Sequence, residues 1–169
     1  DVYKRQAEDI DGYKWIIWSA GGYATGGPGV VELSLVMDFL NVGGSVTISS
    51  RNPFFGQIDE PATTIADVET VDDIPELVAE LPSPIDLIGV MPAVAPLSAD
   101  FDGEPAELVL RRGPASEDSG APISFVLTDE DSDDPQGAQL IIIGMSLSWL
   151  PMEFTDPFIA NMAEYMLAE

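Results

Sequence analysis

The segment from Trp15 to Ser49 reads WIIWSAGGYATGGPGVVELSLVMDFLNVGGSVTIS. It begins with a short apolar run, Trp15 to Trp18, of the kind that forms a buried strand, and its last five residues, Ser45 to Ser49, are predicted to form a second strand. Between them, after a glycine-rich loop, a mostly apolar stretch carries a polar stripe at Ser34, Asp38 and Asn41, which is helical spacing, and the glycine pair that follows ends the helix. The segment therefore predicts a strand–helix–strand unit with parallel strands joined by a right-handed crossover.

The rest of the chain continues the alternation of predicted strands and helices. The run from Leu140 to Met145 is the most apolar in the sequence, and we expect it to form a central strand. A closing helix is predicted to begin with Asp156 as its cap and Pro157 in its first position. The other predicted elements are an edge strand at 65–71, a short helix at 74–81 capped by Asp72 or Asp73, and strands at 106–110 and 123–127. The alternation predicts an α/β fold with an open, mostly parallel sheet flanked by helices in three layers.

The composition excludes several classes of function. Thirty acidic residues stand against six basic ones, the formal net charge is −24, and the sequence contains neither histidine nor cysteine. Such a charge opposes binding to nucleic acids and anionic membranes, which are polyanions. Without histidine, the most frequent general base at neutral pH is missing. No apolar run approaches the ~20 residues that span a bilayer, so we predict no membrane insertion by this segment.

Two origins of the acidity fit the sequence. Carboxylates replace lysines on proteins adapted to high salt, and they also collect hard cations on extracellular calcium-binding proteins. Dispersed acids and a near absence of lysine favour salt adaptation. The basic doublet Arg111-Arg112 is expected to neutralise neighbouring carboxylates at the rim of the sheet.

The first six residues, Asp1 to Gln6, have the appearance of a foreign scar. They match what a common sequencing-library transposon end encodes in one reading frame. We therefore predict a scar at residues 1–6 and one α/β domain at residues 7–169 whose true beginning is missing.

Three segments resemble class I glutamine amidotransferase-like domains. Tyr13–Ser19 resembles their YDVVIW strand, and Val42–Asn52 resembles their GGSLLISGQD strand and turn. Ala138–Leu167 resembles their closing pattern, in which a strand leads to Leu150-Pro151 and then to a helix that contains Asn161. The resemblance implies a flavodoxin-like sheet, and membership of the non-catalytic type found in secreted or peptidase-associated multidomain proteins.

Catalytic members of that group carry a nucleophilic cysteine in the turn that corresponds to Ser49-Ser50-Arg51-Asn52, with a histidine later in the chain. Both residue types are missing here, and a serine without a base is a weak nucleophile. The expectation is a non-catalytic interaction or structural module that contacts neighbouring domains of the same polypeptide, outside the cell or on its surface. The alternatives are a fragment of a hydrolase of sugars or amides with catalytic residues upstream, and a small-metabolite-binding domain in the cytoplasm of a halophile.

The candidate ligand pocket lies beyond the carboxyl ends of the first two strands. Ser50, Arg51 and Asn52 follow the second strand, where α/β folds place ligands. Gly21 and Gly22 begin the glycine-rich loop after the first strand and are expected to shape the rim. That loop lacks the Gly-Lys-Ser/Thr ending of a phosphate-binding loop.

The candidate metal ligands are Asp129, Asp131 and Asp133, which alternate as in a calcium loop. The sixth position of an EF-hand loop is glycine and the twelfth is glutamate, but here they are Asp134 and Leu140. The EF-hand interpretation therefore fails. Weak Ca²⁺ or Na⁺ binding is the remaining metal function, and no cofactor is predicted.

If the carboxylates are an adaptation to salt, the melting temperature will be higher in about 2 M KCl than in dilute buffer, because salt screens their mutual repulsion. Differential scanning calorimetry measures the shift. Stabilisation by millimolar CaCl₂ alone would indicate a specific cation site instead, and an unchanged melt would contradict salt adaptation.

Overall fold

A computed structural model describes residues 12–20, 30–53, 63–89, 93–94, 97–98, 100–101, 104–129 and 138–168. The strands are β1 (Trp15–Ser19), β2 (Ser45–Ser49), β3 (Thr63–Thr64), β4 (Asp67–Thr70), β5 (Ile85–Asp86), β6 (Ala93–Val94), β7 (Asp100–Phe101), β8 (Glu104–Pro105), β9 (Glu107–Arg112), β10 (Pro122–Asp129) and β11 (Ala138–Ile143). The helices are α1 (Val30–Asn41), α2 (Pro75–Val78) and α3 (Met152–Leu167), and a 3-10 turn spans Leu147–Trp149. The predicted scar at 1–6 lies outside the described residues.

A mixed sheet of seven strands forms the centre of the protein, in the order β1-β2-β11-β10-β9-β4-β5. The pairs β1–β2 and β2–β11 are parallel, whereas β11–β10, β10–β9, β9–β4 and β4–β5 are antiparallel. β3 pairs with β6 and β7 pairs with β8 in separate two-stranded sheets. The large sheet is curled into a half-barrel, and three helices accompany it in the described part of the chain.

The predicted fold class is therefore wrong. The sheet is mixed and curled with few helices, rather than open, mostly parallel and three-layered. The reason lies in the connections, because a parallel pair needs a crossover of about a dozen residues or more, usually a helix. Residues 113–121 join β9 to β10 and residues 130–137 separate β10 from β11, and both links are too short for such a crossover. The β1–α1–β2 unit does have a helical crossover, and its strands pair in parallel as predicted.

The two larger helices pack on opposite faces of the sheet. Val36 and Phe39 of α1 share a buried cluster with Val46 and Ile48 of β2, and with Ile142 of β11. The neighbours of Ile142 in β11 point the other way and pack with the buried face of α3. That face carries Phe154, Phe158, Met162 and Met166. Both faces of β11 are therefore buried.

The closing helix begins at Met152, earlier in the chain than the predicted Pro157. Its N-cap is Pro151, whose carbonyl accepts hydrogen bonds from the amides of Phe154 and Thr155 at 2.9 and 3.0 Å. Pro157 consequently lies inside the helix, and Asp156 does not cap it. The predicted cap of the short helix is also wrong, because the N-cap of α2 is Ile74 and makes no side-chain hydrogen bond.

The strand order tests two predictions, one of a central strand and one of an edge strand. The apolar run around Leu140 forms β11, an interior strand between β2 and β10, as predicted. The strand predicted at the sheet edge is β4, but β5 pairs with it on the outside through Val68 and Ile85. Among the described helices, none is long and apolar enough to cross a membrane.

Candidate functional site

The carboxyl ends of the parallel strands β1, β2 and β11 meet at one edge of the sheet, where α/β folds place ligands. The residues at the end of β2 and just beyond β2 and β11 are rich in small polar side chains. We call the following residues the strand-end cluster: Ser49, Ser50, Asn52, Ser146 and Ser148.

Ser49 is the central member of the strand-end cluster and is fully buried. Its hydroxyl donates a hydrogen bond to the carbonyl of Met145 at 2.9 Å and accepts one from the amide of Leu147 at 3.3 Å. These bonds join the end of β2 to the chain that leaves β11. The hydroxyl of Ser49 is therefore committed to backbone contacts.

Ser50 begins the turn in which the sequence predicts a pocket. Its amide donates to the carbonyl of Ile143 at 3.0 Å, and its hydroxyl accepts from the amide of Asn52 at 3.2 Å. The side-chain oxygen Oδ1 of Asn52 is buried and has no hydrogen-bond partner among the described residues. Arg51 is half-buried and forms no ion pair with a carboxylate in the described ranges. The structure thus brings Ser50, Arg51 and Asn52 into one turn, and it leaves a buried acceptor in that turn unmatched.

The remaining predicted site residues are not brought together in the described part of the chain. Gly21 and Gly22 lie outside the described residues, as do Asp131 and Asp133. Asp129 is the last residue of β10. Within the described ranges, no group of three or more acidic side chains is arranged to hold a metal ion. The predicted weak cation site therefore stays a prediction.

Sequence reasoning missed a second polar cluster, which joins the loop after β9 to the start of β4. Asp67 is buried, and its carboxylate accepts hydrogen bonds from the amide of Ala115 at 3.1 and 3.2 Å and from the hydroxyl of Ser116 at 2.8 Å. The same hydroxyl accepts from the amides of Ala66 and Asp67 at 2.9 and 3.1 Å. A Cβ at Gly113 would overlap the Asp67 carboxylate, so this close approach requires glycine.

Arg112 lies in the same region and is only 1% exposed. Its Nη1 donates to the hydroxyl of Thr63 and to the carbonyl of Glu117, and Asp118 lies 3.8 Å away. Burial lowers the pKa of Arg112, and the charges of Asp118 and Glu117 oppose that effect. The pKa of Glu117 is itself lowered, chiefly because the amide of Thr64 donates to its carboxylate at 2.7 Å. The cluster is therefore an internal link between loop and sheet.

The two arginines of the basic doublet lie in different surroundings, one at the surface and one in the interior. Arg111 forms an exposed ion pair with Glu69 at 2.8 Å, as the sequence predicts. Its neighbour Arg112 points inward, because successive residues of a strand face opposite sides. The sequence signal for the buried cluster was this doublet in an acidic chain, but Thr63, which accepts a hydrogen bond from Arg112, and Asp67, which binds the loop after β9, are distant from it in sequence.

A third feature is a groove of about 440 Å³ beside the end of α3, lined by Glu76, Gln139, Asn161, Glu164, Tyr165 and Ala168. Burial raises the pKa of Tyr165, and the nearby carboxylates of Glu107 and Glu76 raise it further. The side-chain amide of Asn161 donates to the carbonyls of Leu77 and Ala79 at 3.3 and 3.0 Å, so it anchors α2. The groove is open and acidic, and the side-chain amide of Asn161 is already bound to backbone.

Comparison with known proteins identifies a fold and no family. No protein-family model matches the sequence, and no curated protein matches it. Among solved structures, the chain is similar to the mmIFT52 N-terminal domain, with a TM-score of 0.62, 14% identity, and coverage of 96% of this chain and 81% of that chain. It is also similar to the cytoplasmic protein STM3548 from Salmonella typhimurium, with a TM-score of 0.57, 13% identity, and coverage of 94% and 74%.

These comparisons correct the resemblance drawn from the sequence. At 14% and 13% identity, the two structures establish the fold alone. They share a mixed-sheet half-barrel with this chain, and nothing in the comparisons supports an amidotransferase-like or flavodoxin-like assignment. The resemblance was wrong because short apolar strands followed by glycine or serine recur in unrelated sheets.

The link between Ser116 and Asp67 gives a stability prediction. Replacing Ser116 with alanine removes a hydroxyl that makes bonds to the backbone and carboxylate of Asp67, so we expect the free energy of unfolding to fall by about 1–3 kcal/mol. Urea denaturation followed by circular dichroism measures the change. Ser119→Ala is the matched control, because Ser119 is an exposed serine of the same loop. Equal stability of the two variants would contradict a structural role for the buried cluster.

Proposed function

We propose that this chain is a non-catalytic interaction or structural module of a larger secreted or cell-surface protein. Its partners would be neighbouring domains of the same polypeptide. The observation that carries the proposal is the state of the strand-end cluster, where nucleophilic side chains are present but committed to backbone hydrogen bonds. The sequence supplies no histidine or cysteine to activate them.

Ser49 supports this proposal by its burial and by its bonds. A nucleophilic serine must reach a substrate carbonyl and pass its proton to a base within about 3 Å. The hydroxyl of Ser49 is 0% exposed, and its proton points at the carbonyl of Met145, which is not a base in this pH range. Ser50 is equally buried, and its hydroxyl closes the turn onto Asn52. Both serines hold the end of β2 in place.

The turn at Arg51 supports a binding role more than a catalytic one. The Oδ1 atom of Asn52 is a buried acceptor without a partner among the described residues. Leaving such an atom unmatched costs about 1–3 kcal/mol, which folded proteins tolerate mainly at functional positions. A polar group that donates a hydrogen bond, from a ligand or from a neighbouring domain, would satisfy Asn52. Arg51 would add a positive charge beside it.

A fluorophosphonate probe tests the absence of catalysis by a serine nucleophile, because it forms a stable adduct with activated serines. We expect intact-mass spectrometry of the treated protein to show no adduct under conditions that fully label a serine hydrolase. The Ser49→Ala variant should give the same mass spectrum apart from the substitution. An adduct on Ser49 or Ser50 in the folded protein would refute the proposal.

The binding role of Asn52 has a signature in the stability of the isolated chain. Since Oδ1 is unmatched, we expect Asn52→Ala to leave the melting temperature unchanged or to raise it. The control is Ser50→Ala, which removes the bond that closes the turn and should lower the melting temperature. Calorimetry compares the two variants with the wild type. A clear loss of stability in Asn52→Ala would make Asn52 a structural residue and remove the support for a ligand here.

A further inference from the structure

We draw no further inference here: the strongest candidate, the open groove beside the end of α3 with Glu76, Glu164 and Tyr165 in its lining, rests on a cluster of carboxylates, and nothing among the described residues shows what occupies it.

Discussion

The fold depends on β11, the strand at which the parallel and antiparallel parts of the sheet meet. It pairs in parallel with β2 and antiparallel with β10, and both of its faces are buried, one under α1 and the other under α3. Apolar side chains on both faces of such a strand need no hydrogen-bonding partners, which explains the continuous run of isoleucine from Ile141 to Ile143. Because β11 pairs with β2 on one side and with β10 on the other, it joins the parallel and antiparallel halves of the sheet.

β2 is also buried on both faces, but one of its faces carries polar residues. Ser45, Thr47 and Ser49 are buried there, and burying a hydroxyl costs free energy unless it is hydrogen-bonded. Thr47 accepts from the indole Nε1 of Trp15 at 3.0 Å, and Ser49 bonds to the chain beyond β11. The hydroxyls of Thr47 and Ser49 therefore link β2 to β1 and to the chain that leaves β11. A serine at the end of a parallel strand resembles a nucleophile in sequence, but its partners in space give it a structural role.

Local patterns predicted the elements of this fold better than their arrangement. The β1–α1–β2 unit follows from apolar runs and a long connection, and the run around Ile142 marks an interior strand. The antiparallel pairing of β9 and β10 could also be inferred from the sequence, because a short connection between two strands forms a hairpin. The prediction of a mostly parallel sheet instead followed the alternation of strands and helices. The predicted start of α3 was wrong because proline is frequent in the first turn of a helix, so Pro157 suggested a beginning there. The hydrogen bonds to the carbonyl of Pro151 that mark the true beginning arise only in the packed structure. The cluster of Asp67 and Arg112 joins residues that are distant in sequence, so no local sequence pattern predicts it.

The acidic residues of this chain have different roles, as the surroundings of the buried Arg112 show. An arginine removed from water needs hydrogen bonds and nearby negative charge, and Glu117 and Asp118 supply that charge from the adjacent loop. The carboxylate of Asp67 is likewise buried and bound to the loop. Asp67 acts inside the fold through short-range hydrogen bonds, which salt screens much less than it screens exposed charges such as those of Glu117 and Asp118. A dependence of stability on salt must therefore come from the dispersed surface carboxylates, and the cluster around Asp67 and Arg112 is expected to persist at low ionic strength.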